Sequence, residues 1–513
     1  MAAKGSETTY DAVVIGGGHN GLTTAALLAK RGRKVVLLEK RDTTGGLAAA
    51  DEFYPGFHSP GVLHDTSGVR HHLVASLGLA RHGLVLEPEP PSLYGCSHDG
   101  EGLHLYHDPG RAAGEISKFS KRDAGRYAEY RDFLKRVSSF INGLFDDAPM
   151  SLGSLDSNVL WPILKKGLGF KRLGRSDMVE LIRVIPMSLA DWLDEWFESD
   201  LLKSILAMPA IRGAFVGPRS PGSAFNLLLW ECRKGSAVRG GSGALVKALE
   251  GAARSAGVEI RTGVGVSGID VDGGRASGVT LADGEGIKAR LVAASNDPKS
   301  VFFGMIPGIA INEKLAHRIH ALRSNGTTAK VDIGLKQRLQ PKGAAKTDVE
   351  FFSTGQSLTE IEKAFDAVKY RQCSDRPILD VAVPNGDGGP VMSALVHYAP
   401  YDLEGGWNDD RRDALGARVV EMLSEVVPGL GDQIETVRVL TPADIESHFG
   451  TSGGHVHHGD HMLDQLFVRP SPECARHHTP IRGLFLCGSG SYPGGGITCA
   501  PGALAAQAIL SLI

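Results

Sequence analysis

Close cysteine pairs are absent from this chain. Its six cysteines, Cys96, Cys232, Cys373, Cys474, Cys487 and Cys499, form no C-x-x-C or other short spacing. That excludes a dithiol redox centre and a disulfide-stapled secreted scaffold, and it points to a reducing compartment. No run reaches the ~18 consecutive apolar residues of a membrane span. The N-terminal "MAAKGSETTY" lacks the apolar core of a secretion signal. A cytoplasmic location is expected, or the mitochondrial matrix if the source is eukaryotic. Net charge is only −3, from 55 basic and 58 acidic residues, so no overall field recruits nucleic acid. Aromatic residues are scarce at 6%, and no metal-binding cysteine motif is present.

What is abundant is glycine, 66 of 513 residues, dispersed in short clusters that suit tight turns and close backbone–ligand approaches. The length predicts two or three domains. "YDAVVIGGGHNGLTTAALLAKRGRKVVLLEK" is the most informative stretch. Ala12 to Ile15 read as a strand buried on both faces, Leu22 to Lys30 as a helix, and Val35 to Leu38 as a second strand. Gly16-x-Gly18-x-x-Gly21 falls between strand and helix, and Glu39, followed by Lys40, closes the second strand. In that context Gly16 permits the turn, Gly18 lets backbone approach a pyrophosphate, and Gly21 allows close helix–strand packing. The helix N-terminus faces the phosphates, and Glu39 accepts from the ribose hydroxyls.

A second glycine turn, Gly45-Gly46-Leu47, follows the ribose position and favours FAD over NAD. No second strand–GxGxxG–helix unit appears; "VRGGSGALVKALEGAARSAGVEI" (238–260) follows a basic turn rather than an apolar strand. The electron acceptor is therefore expected to be oxygen or a quinone rather than NAD(P). At the other end, "GLFLCGSGSYPGGGITCAPGALAAQAIL" (483–510) places a strand from Leu484 to Cys487, a glycine–proline loop, and a helix opened by Pro501. The positive end of that helix suits the N1–C2=O edge of a flavin, which becomes negative on reduction.

These motifs, with "RGGSGALVKALEGAARSAGVEIRTGVGVSGI" (239–269), "ASNDP" (294–298) and "LDQLFVRP" (463–470), resemble the phytoene desaturase-like FAD oxidoreductases from end to end and in order. The resemblance implies an α/β protein: a discontinuous Rossmann-like FAD-binding domain of the GR2/amine-oxidase type, a mixed-sheet substrate domain and a helical cap. The expected boundaries are 1–75, 235–300 and 478–513 for the FAD domain, 76–115 and 301–477 for the substrate domain, and 116–234 for the cap. The resemblance also implies that Val266 contacts the adenine, and that Gly488, Gly495, Gly496 and Ile497 line the pyrophosphate, ribitol and flavin. FAD is expected to be non-covalent, although Cys499 lies in the flavin loop.

Within the cap, 124–145 and 187–208 have helical spacing. "LWPILKKGLGFKRLGR" (160–175) carries five basic residues, no acid, and Trp161 and Phe170. It reads either as a solvated loop with its aromatics in the core or as a peripheral contact with an anionic bilayer.

"GGHVHHGDHM" (453–462) gathers His455, His457, His458 and His461 around Asp460. Its spacing is one residue too long for H-x-H-x-D-H, so a metal is not expected. In relatives the equivalent stretch lies over the flavin. His457 and His461 are preferred as acid–base candidates because an extended loop alternates its side chains, with His64 and Tyr492 as further candidates. The expected activity is hydride transfer from an apolar organic substrate to flavin N5, as in C–C desaturation. Amine-oxidase-like C–N oxidation, which predicts an aromatic pair facing the flavin, and a non-catalytic flavin-binding interaction protein remain as alternatives.

Overall fold

The computed structural model describes residues 9–97, 100, 102–149, 166–344, 349–385 and 388–512. The first apolar run forms the strand Tyr10–Ile15, with Val13 and Val14 fully buried. Val35–Leu38 pairs with it in parallel on one side and Gly286–Ala294 on the other. Glu259–Arg261 extends the sheet beyond Val35–Leu38, and Leu484–Leu486 extends it beyond Ala294, again in parallel. Strands from three separate stretches of chain thus meet in one sheet. The N-terminal half of Gly286–Ala294 instead pairs antiparallel with Arg275–Leu281, which pairs with Val266–Asp272.

Helices His19–Ala29, Gly241–Ser255 and Ala500–Leu510 cover one face through Leu22, Leu245, Leu249 and Ala503. The other face buries Val13, Ile15, Val36 and Leu38 beneath the antiparallel strands. Each such side chain contributes about 1.5–3 kcal/mol on burial. Val301, Phe302, Leu315 and Ile319 join this second core, so the chain just after residue 300 packs on this first sheet.

A second sheet runs Ile434–Leu440, Thr328–Leu335, Val391–His397, Ile378–Ala382, Phe351–Ser353, Leu93–Gly95, Leu103–Leu105. It is antiparallel except where Phe351–Ser353 meets Leu93–Gly95. Its two faces differ sharply. Val331, Ile333, Leu379, Val381, Ala394 and Val396 form one core with Leu415, Val419, Met422 and Val426 of helix Asp409–Val426. The alternate residues, Lys330, Asp332, Asp380, Ser393 and His397, are also buried but polar. Because strand side chains alternate, that polar row faces away from the helix.

The cap contains Lys121–Phe145, Gly174–Val184, Leu189–Trp196, Asp200–Ile211 and Ser223–Arg233 around the fully buried Trp192. The single helix expected over 187–208 is broken. Ser199 starts a new helix by accepting from Leu202 N–H, and Asp123 accepts from Glu198 and Ser199 N–H across the break.

Of the basic segment, 160–165, with Trp161 and Lys165, lies outside the described residues. The 166–172 stretch is helical rather than a loop. Phe170 packs on Phe140 at 5.3 Å and joins the cap core, while Lys171, Arg172 and Arg175 are exposed. Among the described residues, no helix is long and apolar enough to cross a membrane.

Candidate functional site

The chain leaves Ile15, turns at Gly16 with φ +92°, and enters the helix at His19 with Gly18 as N-cap. A Cβ on Gly21 would lie 2.0 Å from Gly16 O, so only glycine lets this helix approach the strand so closely. Glu39 accepts from Gly17 N–H at 2.6 Å and from Arg41 N–H at 2.9 Å. Gly45 N–H donates to Gly17 O at 2.8 Å, which brings the second glycine turn against the first. Around them opens a cavity lined by Gly16, Gly18, Glu39, Lys40, Gly45, Gly46, Leu47 and Val266.

Residues distant in sequence complete that cavity. His19 Nε2, Asn296 Oδ1 and His458 Nδ1 are buried, lack a hydrogen-bond partner and belong to residues of its wall. Burial lowers His19 to about 4 and His458 to about 3, so both imidazoles are neutral near pH 7. A glycine-lined turn at a helix N-terminus, an acidic residue at the strand end and uncommitted polar atoms fit an adenine dinucleotide.

Gly496 (φ +85°), Ile497 and Thr498 line a second, smaller cavity, which shares Leu63 with the first. His64, Arg212, Trp230, Arg233 and His457 form its other walls. Gly488 and Gly495 serve close approach instead. A Cβ on Gly488 would meet Ser295 O at 2.1 Å, and one on Gly495 would meet His457 Cβ at 2.6 Å and its ring Nδ1 at 2.7 Å. Cys499 lies in the helix-covered core, and burial raises its thiol to about 11.

A third hollow lies between the second sheet and the cap, and shares Asp65, Ser67, Pro209, Arg212 and Lys234 with the second cavity, which is thus a junction between the other two. Leu93, Leu105, Ile205, Leu206, Met208 and Phe352 give it an apolar wall. None of 166–175 lines it. At its junction end, Arg212 donates from Nη1 to Asp65 Oδ2 at 2.7 Å and from Nη2 to Asp380 Oδ2 at 2.6 Å. Burial alone would raise both carboxyls; Arg212 holds them below the usual range. Lys330 Nζ stands 3.3 Å from His64 Nδ1. Burial lowers Lys330 to about 8, against the opposing pull of Asp332 and Asp380.

Sequence reasoning missed Arg212, Asp380, Lys330, Trp230 and Arg233. A signal was present: Lys330, Asp332 and Asp380 interrupt the apolar strands "TAKVDIGL" and "ILDVA". An ionisable residue there must be buried and partnered.

The histidine-rich loop is not extended. It turns through His458 (φ +56°) and Gly459 (φ +125°), so the expected alternation of His457 and His461 fails. Their rings lie 4.8 Å apart, both beside Trp230. His455 Nε2 bonds Asp460 Oδ1 at 3.1 Å and its Nδ1 accepts from His457 N–H. His457 Nε2 donates to Arg212 O at 3.1 Å, and His461 Nε2 accepts from Gly495 N–H. The ring nitrogens answer different partners and do not converge. Arg469 holds the loop by donating to the carbonyls of His457, Gly459, Asp460 and Ser489.

His64 does reach the junction, stacked on Phe351 at 5.5 Å with Nε2 unpartnered. Tyr492 does not. Its hydroxyl donates to Leu144 O and its ring stacks on Phe145 in the cap core.

Residues 21–510 match the description "flavin containing amine oxidoreductase". The chain is 32% identical to the pyridine nucleotide-disulfide oxidoreductase domain-containing protein 2 of Rattus norvegicus, over 98% of this chain and 93% of the relative. It is 24% identical to a lycopene-forming phytoene desaturase of a Paracoccus species, over 98% and 97%. The cyclohexylamine oxidase of Brevibacterium oxydans has a similar structure, with TM-score 0.57, 15% identity, and 98% and 99% coverage.

Proposed function

The chain belongs to the flavin-containing amine oxidoreductases, an FAD-dependent family, and from that premise we propose that it desaturates a C–C bond of a largely apolar substrate. Bound FAD supplies the oxidant, a two-electron acceptor that takes hydride at N5. The rest falls to the chain's own residues. Gly16, Gly18 and the helix N-terminus at His19 would hold the diphosphate, and Glu39 the ribose. Gly496 to Thr498 would border the flavin ring. The hollow walled by Leu105, Ile205, Leu206 and Met208 would exclude water and seat the substrate. Neutral His64 would present Nε2 to the junction, either to orient a polar group or to take a proton.

One observation carries the preference for C–C over C–N oxidation. Among the described residues lining the junction, Trp230 is the single Phe, Tyr or Trp side chain, and Ile497 stands in the glycine loop. An aromatic pair, the feature expected for amine oxidation, is therefore not assembled there. Similarity to a phytoene desaturase over nearly the whole chain supports the same reading.

The test is anaerobic mixing of the FAD-loaded protein with acyclic isoprenoids, long-chain lipids and primary or secondary amines. Bleaching of the flavin by an isoprenoid or lipid is expected. Bleaching by amines alone would replace this reading with C–N oxidation, and bleaching by none would favour an interaction protein.

A further inference from the structure

Two buried arginines flank the junction, and their partners differ. Arg212 lies between two carboxylates, as described. Arg233 is 3% exposed, and among the described residues no carboxylate pairs with it. Its Nη2 donates to Pro493 O at 3.1 Å, and its guanidinium rests on the Phe145 ring at 4.4 Å. Both contacts are to neutral groups. Nε and Nη1 are buried without a partner. The nearby acid, Asp146, is paired with Arg70 at 2.9 Å, and the adjoining Lys234 is paired with Glu231. Burial lowers Arg233 to about 9, which leaves it charged at neutral pH.

A purely structural buried arginine would distribute its N–H groups over carbonyls, as Arg469 does with four of them. Arg233 instead keeps two donor positions uncommitted on a wall of the junction cavity, beside the Gly496–Thr498 turn. A desolvated guanidinium without a counter-ion is costly, and its planar fork matches a planar oxyanion. We infer that Arg233 is the counter-cation of a delocalised oxyanion bound in the junction cavity. The anion has two possible sources: the pyrimidine ring of the reduced flavin, or a carboxylate at the head of the substrate. The inference rests on the junction being where flavin and substrate meet, but not on which bond is oxidised.

The experiment titrates FAD-loaded wild type, Arg233→Met and Arg233→Lys anaerobically with sulfite and, separately, with decanoate, following the visible flavin spectrum. Sulfite adds its sulfur lone pair to flavin N5, and the displaced electron pair leaves a negative charge on the pyrimidine ring. If the flavin is the anion, Arg233→Met weakens sulfite binding by about tenfold or more, and Arg233→Lys stays within about threefold of wild type. If the substrate head is the anion, decanoate binding weakens to that extent and sulfite binding does not. Either result supports the inference and names the source. It is overturned if both titrations of Arg233→Met match wild type, or if wild type binds neither probe at millimolar concentration. Arg233→Gln replaces the methionine variant should that one fail to hold FAD. Failure of the desaturation reading would appear as no bleaching by any isoprenoid or lipid, and leaves the sulfite comparison intact.

Discussion

His461 accepts a hydrogen bond at Nε2 from the backbone N–H of Gly495, 2.8 Å away, which ties the histidine-rich loop directly to the C-terminal glycine turn. The bond requires the proton of this imidazole to sit on Nδ1. Burial, with His457 beside it, holds His461 well below its usual pKa. The residue is therefore a neutral brace beneath the C-terminal glycine turn.

Replacing His461 with alanine leaves Gly495 N–H buried without an acceptor, a loss of about 1–3 kcal/mol. Thermal unfolding should shift downward and FAD should be lost more readily on dilution. His461→Gln, whose side-chain oxygen can accept, should recover part of both.

Gly18 and Gly21 should respond differently to alanine. At Gly18 the backbone is ordinary (φ −66°) and the nearest atom to a new Cβ is Gly45 O at 3.9 Å. Gly18→Ala should leave the apoprotein melting temperature unchanged and weaken FAD by about tenfold or more, by blocking backbone–phosphate approach. Gly21→Ala drives a Cβ into Gly16 O and should destabilise the apoprotein by about 1–3 kcal/mol or more. Fluorescence titration of FAD and apoprotein melts separate the two. Full FAD affinity in Gly18→Ala would remove the diphosphate from this turn.

Acid should unfold the protein earlier than its carboxylates alone demand. Burial lowers His19, His397 and His477 to about 4 and His458 to about 3. Their folded values lie below the unfolded value of about 6.5, so the unfolded state binds protons first. Their contribution to stability is fully present above pH about 6.5 and falls below it by up to about 1.4 kcal/mol per pH unit for each group, until the folded values are reached. Melting temperatures at pH 8, 6 and 5 should drop at both steps, more steeply per pH unit at the second, with net proton uptake on unfolding. A constant melting temperature from pH 7 to 5 would contradict this.

Arg212→Met removes the directly bonded cation from buried Asp380 and from half-buried Asp65, leaving Lys330 as the remaining cation beside Asp380. The expected loss is about 3–5 kcal/mol in urea unfolding. Adding Asp380→Asn should restore part of it, since the second substitution removes one stranded charge. A single variant as stable as wild type would show that solvent or a rearranged side chain already compensates these carboxylates.

The strand–glycine turn–helix part of the candidate site was legible because its signals are local. Strand, Gly16-x-Gly18-x-x-Gly21, helix and Glu39 fall within thirty consecutive residues, so spacing alone determines which backbone groups meet. Alternation within "TAKVDIGL" likewise marks Lys330 and Asp332 as sharing a face. What sequence alone could not determine is what that face meets. Arg212 finds Asp65 and Asp380 at separations of 147 and 168 residues, and no local pattern encodes such a pairing. The histidine loop shows the same limit. An extended loop would alternate the facing of His457 and His461, but backbone turns at His458 and Gly459 and the carbonyl clamp of Arg469 set their directions. Local spacing determined the strand–glycine turn–helix unit; only the tertiary packing of cap, sheet and loop decided which buried charges are satisfied and that Arg233, among the described residues, meets no carboxylate.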